Sequence, residues 1–424
     1  MPDMKVDVAI IGSGPGGLAA GIAAKQHGAK SVLMIERDYE LGGILLQCIH
    51  NGFGVEIFKE DLPGPSYAQR FIAQALQAGV EVMLDAMVLE ITADRRIFIT
   101  SKKKGIIEVQ AKALILAMGC RERTRAQIRI PGTRPAGVYT AGTAQRWVNV
   151  EGFMPGSEFV ILGSGDIGMI MARRLTFEGA HVSRVLEIMP YISGLMRNYV
   201  QCLQDFDIPL NLSHTITTIH GNDRVEAVEV SAVDSRWEPI SGTQEVIPCD
   251  TVLLSVGLIP ENELSRQAGV MLDPLTNGPI VDSTFQTNIP GIFAAGNVVH
   301  VYDLVDWVTQ AGYQAGESAA RYAAAQSLPD GALVPTKGGK NVHYVVPQHF
   351  RKETLQSAPI EFQMRVTHPI EKHVRLEATS GGTVIHGRTY PYARPGEMVT
   401  LTLQPRHVER FENLKEITFR ATVK

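Results

Sequence analysis

The stretch "MKVDVAIIGSGPGGLAAGIAAKQHGAKSVLMIE", residues 4 to 36, decides the reading of the fold. Met4 to Ile11 reads as a short strand, because so brief an apolar run bounded by glycine fits a strand buried on both faces. Gly12-Ser13-Gly14-Pro15-Gly16-Gly17 follows, and a helical pattern then runs from Leu18 to His27. Ser31 to Ile35 is a second strand, and it ends at Glu36. Each residue type has a physical task. Gly12 makes the tight turn, Gly14 lets the backbone approach a pyrophosphate, and Gly17 lets helix pack on strand. The unpaired N–H groups of the helix start favour phosphate charge. Glu36 lies 19 residues after Gly17, where a carboxylate accepts hydrogen bonds from ribose hydroxyls.

A lone glycine turn is weak evidence, but the pattern recurs. Glu158 to Leu162 is a strand, Gly163-Ser164-Gly165-Asp166-Ile167-Gly168 a turn, and Met169 to Glu178 a helix. Val182 to Leu186 then ends at Glu187, again 19 residues after the last glycine. Two such sites in one chain imply two cofactors, or a cofactor and a substrate nucleotide. Glu187 would repel a 2′-phosphate and so favours NADH over NADPH, although Arg184 and Arg173 lie nearby in the sequence.

Composition bounds the rest. The 424 residues allow two or three domains. A hydrophobic share of 45%, a charged share of 20% and a net charge of −4 describe a soluble globular protein. There is no basic run for nucleic acid or an anionic membrane. Cys48, Cys120, Cys202 and Cys249 are far apart and form no CxxC pair, which argues against a disulfide framework and against a metal site. A reducing cytosol is the simplest compartment. No apolar run is long enough to span a bilayer, and the apolar stretch Val8 to Ile11 is too short for a signal core.

Two further apolar strands end in glycine: "ALILAMG", at Gly119, and "DTVLLSVG", at Gly257. "TNIPGIFAAGNVVHVYDLVDWV" follows at 287 to 308. Taken together, residues 5 to 325 resemble the two-dinucleotide-binding flavoproteins, the pyridine nucleotide-disulfide oxidoreductase superfamily. "GGILLQCIHNGFG", "GSGDIG" and "AAGNVVHVYDLVDWV" are most similar to one branch, NAD- and FAD-dependent oxidoreductases that accompany a glycerol-3-phosphate-dehydrogenase-like flavoprotein and a small cysteine-rich protein. More distantly, the chain resembles the alpha subunits of opine oxidases.

The resemblance implies an α/β fold with two Rossmann-like domains, the FAD domain being split by an inserted NAD domain. The expected boundaries are 1–122 and 263–328 for the FAD domain and 123–262 for the NAD domain. The resemblance places FAD against Gly12, Ser13, Gly14, Pro15, Gly16, Gly17, Glu36, Arg37, Gly42, Gly43, Val88, Gly119, Gly296 and Asn297. It places NAD(H) against Gly163, Gly165, Asp166, Ile167, Gly168, Glu187 and Gly257. Two departures matter. Asn297 stands where the superfamily has an Asp that holds the ribityl chain. The cysteine pair expected after Gly42-Gly43 is reduced to Cys48, the one candidate for a catalytic sulfur. His50, close by, could be a proton donor or a loop residue.

Asp303 reads as the N-cap of a helix continuing to Ala325, with Asp306 in its first turn. The start of that helix is also expected at the flavin edge, where it would stabilise negative charge on the reduced ring. Residues 329 to 340, rich in Pro and Gly, read as a linker. Beyond them, alternating runs such as "IEFQMRV" and "EITFRATV" predict a small all-β domain over 341–424. The function implied is hydride exchange between FAD and NAD(H) without a disulfide, with electrons passing to or from a partner subunit of a multi-component dehydrogenase. Two alternatives are a self-contained flavin dehydrogenase acting on an amino acid, opine or hydroxy acid, and a flavin-bearing scaffold with little turnover.

Overall fold

The computed structural model describes residues 2–325, 327, 331–409, 411 and 414–424. The chain forms two compact units: Met1–Cys120 joined with Pro260–Lys424, and Arg121–Ile259 inserted between those segments.

In the first unit, β1 (Met4–Ile11) leads through the first glycine turn into α1 (Pro15–Gln26) and then β2 (Val32–Ile35). Pro15 suits the first helical position, where its missing N–H would have no partner. Helix α2 (Gly64–Gln77) is followed by the short strand Glu81–Met83, parallel to β2. The twelve-residue β3 (Gly105–Leu116) does two jobs. Its first half pairs antiparallel with Arg96–Ser101, and its second half runs parallel beside β1, with Ile11 opposite Leu116.

The second unit repeats this plan. β4 (Glu158–Leu162), α3 (Asp166–Phe177) and β5 (His181–Glu187) follow one another, then α4 (Met196–Cys202). β6 (Thr251–Leu254) lies parallel to β4, with Leu162 opposite Leu254. A separate antiparallel sheet of His214–His220, Ala227–Ala232 and Glu245–Pro248 completes the unit.

On returning to the first unit, β7 (Ile292–Ala294) pairs with the end of β3, Ala294 opposite Leu116. Helix α5 (Val305–Ala325) then lies along α1. The two helices meet backbone to backbone. A Cβ added at Gly312 would stand 2.3 Å from the carbonyl oxygen of Gly16, and one at Gly316 would stand 2.2 Å from that of Ala20.

The tail alternates buried and exposed positions, as in β8 (Ile360–Val366), and builds its own core around Phe350, Phe362 and Phe419. Three sequence expectations change here. Residues 329 and 330 lie outside the described residues, but Leu333–Gly338, read as linker, is a strand. It pairs with His349–Arg351 and with Ile417–Phe419, long-range partners that composition does not reveal. The tail is also not purely β, since Lys352–Ser357 and Pro405–Val408 are short helices. Finally, the tail belongs to the first unit instead of standing apart. Tyr344, Val346 and Met398 join the first unit's core, Arg351 pairs with Asp282, and the Gln348 side chain accepts from the Val281 N–H at 3.0 Å. Among the described residues, no helix is long and apolar enough to cross a membrane.

The α1–α5 contact yields a test whose sign is informative. At an open helical site, Gly→Ala stabilises by up to ~1 kcal/mol. Gly316→Ala should instead destabilise by about 1–3 kcal/mol through overpacking. Urea denaturation measures this, and a more stable variant would contradict the close approach.

Candidate functional site

The two glycine turns are held in the same way. In the first unit, Glu36, 7% exposed, accepts from the Ser13 N–H at 2.9 Å and from the Ser13 hydroxyl at 2.6 Å. Its other oxygen takes the Asp38 N–H at 2.9 Å. In the second unit, Glu187, 3% exposed, accepts from the Ser164 N–H at 3.0 Å, the Ser164 hydroxyl at 2.6 Å and the Met189 N–H at 2.9 Å. It also takes the Ser193 hydroxyl at 2.8 Å. The segment after each acid returns to the same serine. Gly42 N–H donates to the Ser13 carbonyl at 3.1 Å, and Gly194 N–H donates to that of Ser164 at 3.0 Å. Sequence reasoning placed both carboxylates against ribose. Their first partners are instead the turns themselves, and each acid still has acceptor capacity on its outer oxygen. Ser164 was missed as a turn-holding residue, although its place in "GSGDIG" matches that of Ser13 in "GSGPGG".

The glycines differ in what demands them. A Cβ on Gly12 would lie 2.5 Å from the Ala117 carbonyl oxygen, and one on Gly17 would lie 2.0 Å from that of Gly12. Packing alone requires both. Gly14 has an ordinary φ of −65°, and a Cβ there would meet nothing within 4 Å. Nothing in the protein itself asks for glycine at position 14. In the second unit, Gly163 and Gly168 are crowded by Ser255, and a Cβ on Gly165 would stand 2.9 Å from the Ser255 hydroxyl oxygen.

Several predicted residues converge on the first turn. Gly43 leans on it, since its Cβ would sit 3.0 Å from the Gly14 Cα. A Cβ on Gly16 would lie 3.6 Å from the carbonyl oxygen of Ala295, beside Gly296. Gly119 lies two residues beyond Ala117, which crowds Gly12, as Gly257 lies two beyond Ser255 in the second unit. Arg37 is exposed next to Glu36. Asn297 accepts from the Tyr302 N–H at 3.1 Å and donates through Nδ2 to Cys120 Sγ at 3.6 Å. An amide can do both at once, and it retains a second N–H for a ligand.

Other expectations need correction. The Val88 side chain is buried in the core, which leaves its backbone as the part available to a cofactor. The Asp166 carboxylate is engaged by the Leu195 N–H at 2.8 Å and by Asn198 Nδ2 at 2.6 Å, so it anchors the start of α4. Ile167 is half-buried against the second unit's core. Asp303 is not the N-cap of α5. The Leu304 carbonyl accepts the Val308 N–H, and Asp303 pairs with Arg365. Asp306, 2% exposed, reaches back to accept from the N–H groups of Gly54 and Ile57, both at 3.2 Å. That clamp spans 252 residues of sequence and could not be read from periodicity.

Cys48 packs against Gly64. Its carbonyl accepts the Gly64 N–H at 2.8 Å, and its Cβ would lie 2.9 Å from one added at Gly64. Burial pushes its thiol up to about 12, away from the thiolate that nucleophilic chemistry needs. Cys48, Cys120, Cys202 and Cys249 form no disulfide with one another. His50 packs near Phe53, with ring centroids 5.1 Å apart. Among the described residues, no group of three His, Cys, Asp or Glu is placed to hold a metal.

Paired glycine turns, each backed by a buried serine-bound carboxylate at the end of the next strand, define a two-dinucleotide-binding protein. Residues 6–327 match the pyridine nucleotide-disulphide oxidoreductase family, and the chain belongs to it. FAD and NAD(P)H are the cofactors of this family. The chain is 26% identical over 352 residues to an opine oxidase subunit of Agrobacterium tumefaciens, covering 78% of this chain and 67% of that protein. It is 26% identical over 290 residues to hydrogen cyanide synthase subunit HcnB of Pseudomonas protegens, covering 63% of this chain and 60% of that protein. It thus spans roughly two thirds of these relatives' length. The fold is similar to that of T. acidophilum thioredoxin reductase, with a TM-score of 0.63 at 23% identity, covering 76% of this chain and 99% of that one.

His300, 1% exposed, gives a pH test. Burial, with the Arg365 cation adding to it, pushes its imidazole down to about 3, while Gln363 acts the other way. The folded value lies below the ordinary 6.5, so the unfolded chain binds the proton more readily. Stability from this group is therefore complete above about pH 6.5 and is lost as pH falls towards 3, by about 1.4 kcal/mol per unit. His300→Gln should flatten the fall in urea midpoint between pH 6.5 and 4.5. A slope equal to that of the wild type would contradict the buried neutral imidazole.

Proposed function

We propose that this chain is an FAD-dependent oxidoreductase that exchanges hydride with NAD(H) and passes electrons to or from a partner redox subunit, without a redox-active disulfide. The observation that carries the reading is Gly14. The fold explains Gly12 and Gly17 by contact, but at Gly14 the missing Cβ opens onto space that a pyrophosphate would fill. Ser13, Glu36, Gly42, Gly43, Gly119, Gly296 and Asn297 would complete the FAD site, and Gly163, Gly165, Gly168, Glu187 and Gly257 would hold NAD(H).

When bound, FAD accepts and returns a hydride and NAD(H) carries one. The chain's own part is binding and orientation. The starts of α1 and α3 direct N–H groups to phosphate, and the outer oxygen of Glu36 is positioned for ribose. Glu187 would do the same for NADH while repelling the extra phosphate of NADPH. At 4 Å that repulsion is worth roughly 1–4 kcal/mol, depending on solvent access. Arg184, which could have offset it, is paired with Glu245.

The partner reading rests on two supports. No two of the four cysteines are joined in a disulfide, and burial pushes three of the thiols, at Cys48, Cys202 and Cys249, upward. The relatives' names also make them subunits of an oxidase and a synthase. A dehydrogenase flavoprotein and a small cysteine-rich protein are the partners proposed, on the resemblance of "GGILLQCIHNGFG" and "AAGNVVHVYDLVDWV".

Gly14→Val should fold with an unchanged melting midpoint yet purify without flavin. A yellow variant with full flavin content would sink the assignment. NADH should reduce an artificial acceptor at least about tenfold faster than NADPH at limiting concentration, and Glu187→Ala should narrow the gap. Equal wild-type rates would refute the NADH preference. Turnover of a 2-amino or 2-hydroxy acid by the isolated chain, at rates matching NADH, would displace the partner reading in favour of a self-contained dehydrogenase.

A further inference from the structure

We propose that the β-rich tail is part of the flavin site, with Arg365 as a positioning residue that fixes the 296–304 loop. The inference rests on the assignment of Gly296 and Asn297 to FAD. Arg365 lies on β8, in the tail, and its largely buried guanidinium crosses to the loop that runs from β7 to α5. One arm donates to the Val301 carbonyl at 3.1 Å and to the Asp303 carboxylate. The other arm donates to the Pro395 carbonyl at 3.1 Å, and Nε donates to the Tyr344 hydroxyl at 3.2 Å. The second oxygen of Asp303 takes the Met398 N–H, also from the tail, at 2.5 Å.

The two anchored residues flank Tyr302, whose N–H is bound by Asn297 Oδ1 at 3.1 Å. Beneath them the His300 and Tyr302 rings pack with centroids 4.2 Å apart, and Tyr344 meets His300 at 5.8 Å. The Asn297 amide is therefore oriented by a peptide that the tail holds from both sides. Asp303, two residues before α5 begins, carries the same constraint to the helix start.

A buried ion pair is weak evidence for stability, because apolar residues of similar volume often serve as well. What such residues cannot supply is the directional hold on Val301, Asp303 and Met398. Removing both charges should thus separate folding from loop position.

The test compares wild type, Asp303→Asn and the double variant Arg365→Met with Asp303→Leu. Flavin-stripped protein is titrated with FAD, and peptide-level amide exchange is followed in the stripped protein. Asp303→Asn keeps the shape and covers the case in which the double variant does not fold. The expected result is an FAD dissociation constant raised about tenfold, within the usual range for coupled sites. Exchange over 296–304 should quicken while 374–380 and 417–423 stay protected. Wild-type affinity together with unchanged exchange over 296–304 in either folded variant would overturn the proposal, as would loss of protection across the whole tail in both. If the wild type itself binds no FAD, the site assignment fails, and the exchange over 296–304 still judges the clamp.

Discussion

A carboxylate buried behind a glycine turn is the constraint on which each unit depends. Glu36 and Glu187 sit at the ends of their strands, and each receives both the N–H and the hydroxyl of the serine inside the turn. A buried carboxylate is costly unless it is hydrogen-bonded, so each acid favours the one turn shape that supplies its donors. With the turn fixed, the helix that follows must start at a set place and direction. In the first unit that start lies beside the open space at Gly14, and in the second Ser255 Oγ takes the Gly168 N–H at 3.1 Å. Strand, turn, acid and helix form one device, built twice in one chain.

In the first unit the device extends outward from that point. Gly16 and Gly312 bring α1 and α5 together at backbone distance, so the start of α5 is placed relative to the first turn. Asp306 then draws the 54–57 segment onto α5, and the 42–48 segment crosses above Gly14. Cys48 lies on that path, with its carbonyl and Cβ held close against Gly64. The tail closes the arrangement through Arg365. A protein of this build can hold a flavin rigidly while offering no dithiol to receive its electrons. On the function proposed, the recipient is a substrate or a partner's redox centre.

Much of this was legible in the sequence, for a definite reason. The turn device is local, and its spacing survives as Gly-Ser-Gly with an acid 19 residues after the last glycine. The alternating tail strands were equally visible, because side-chain direction in a strand has a period of two. What sequence could not provide was the partner of each polar group. Asp303 looked like a cap because capping is the commonest local use of Asp before a helix, and only the tail's return reveals Arg365. In "IEFQMRV" that arginine sits at a position that reads as solvent face. The partners of Asp166, 29 to 32 residues away, and the core contacts of the Val88 side chain were hidden for the same reason. The strand at Leu333–Gly338 was hidden by its proline and glycine, which mark a loop by composition.

The central claim is that a flavin occupies the first turn and that no thiol pair lies between it and the next acceptor. The most direct measurement is an anaerobic dithionite titration of the purified holoprotein, followed by flavin absorbance and by thiol count. The account predicts that uptake ends at about two electrons per FAD, with all four thiols unchanged in number and Cys48→Ser giving the same end point. Uptake of four electrons with the appearance of two new thiols would mean that Cys48 or Cys120 finds a disulfide partner, and would contradict it.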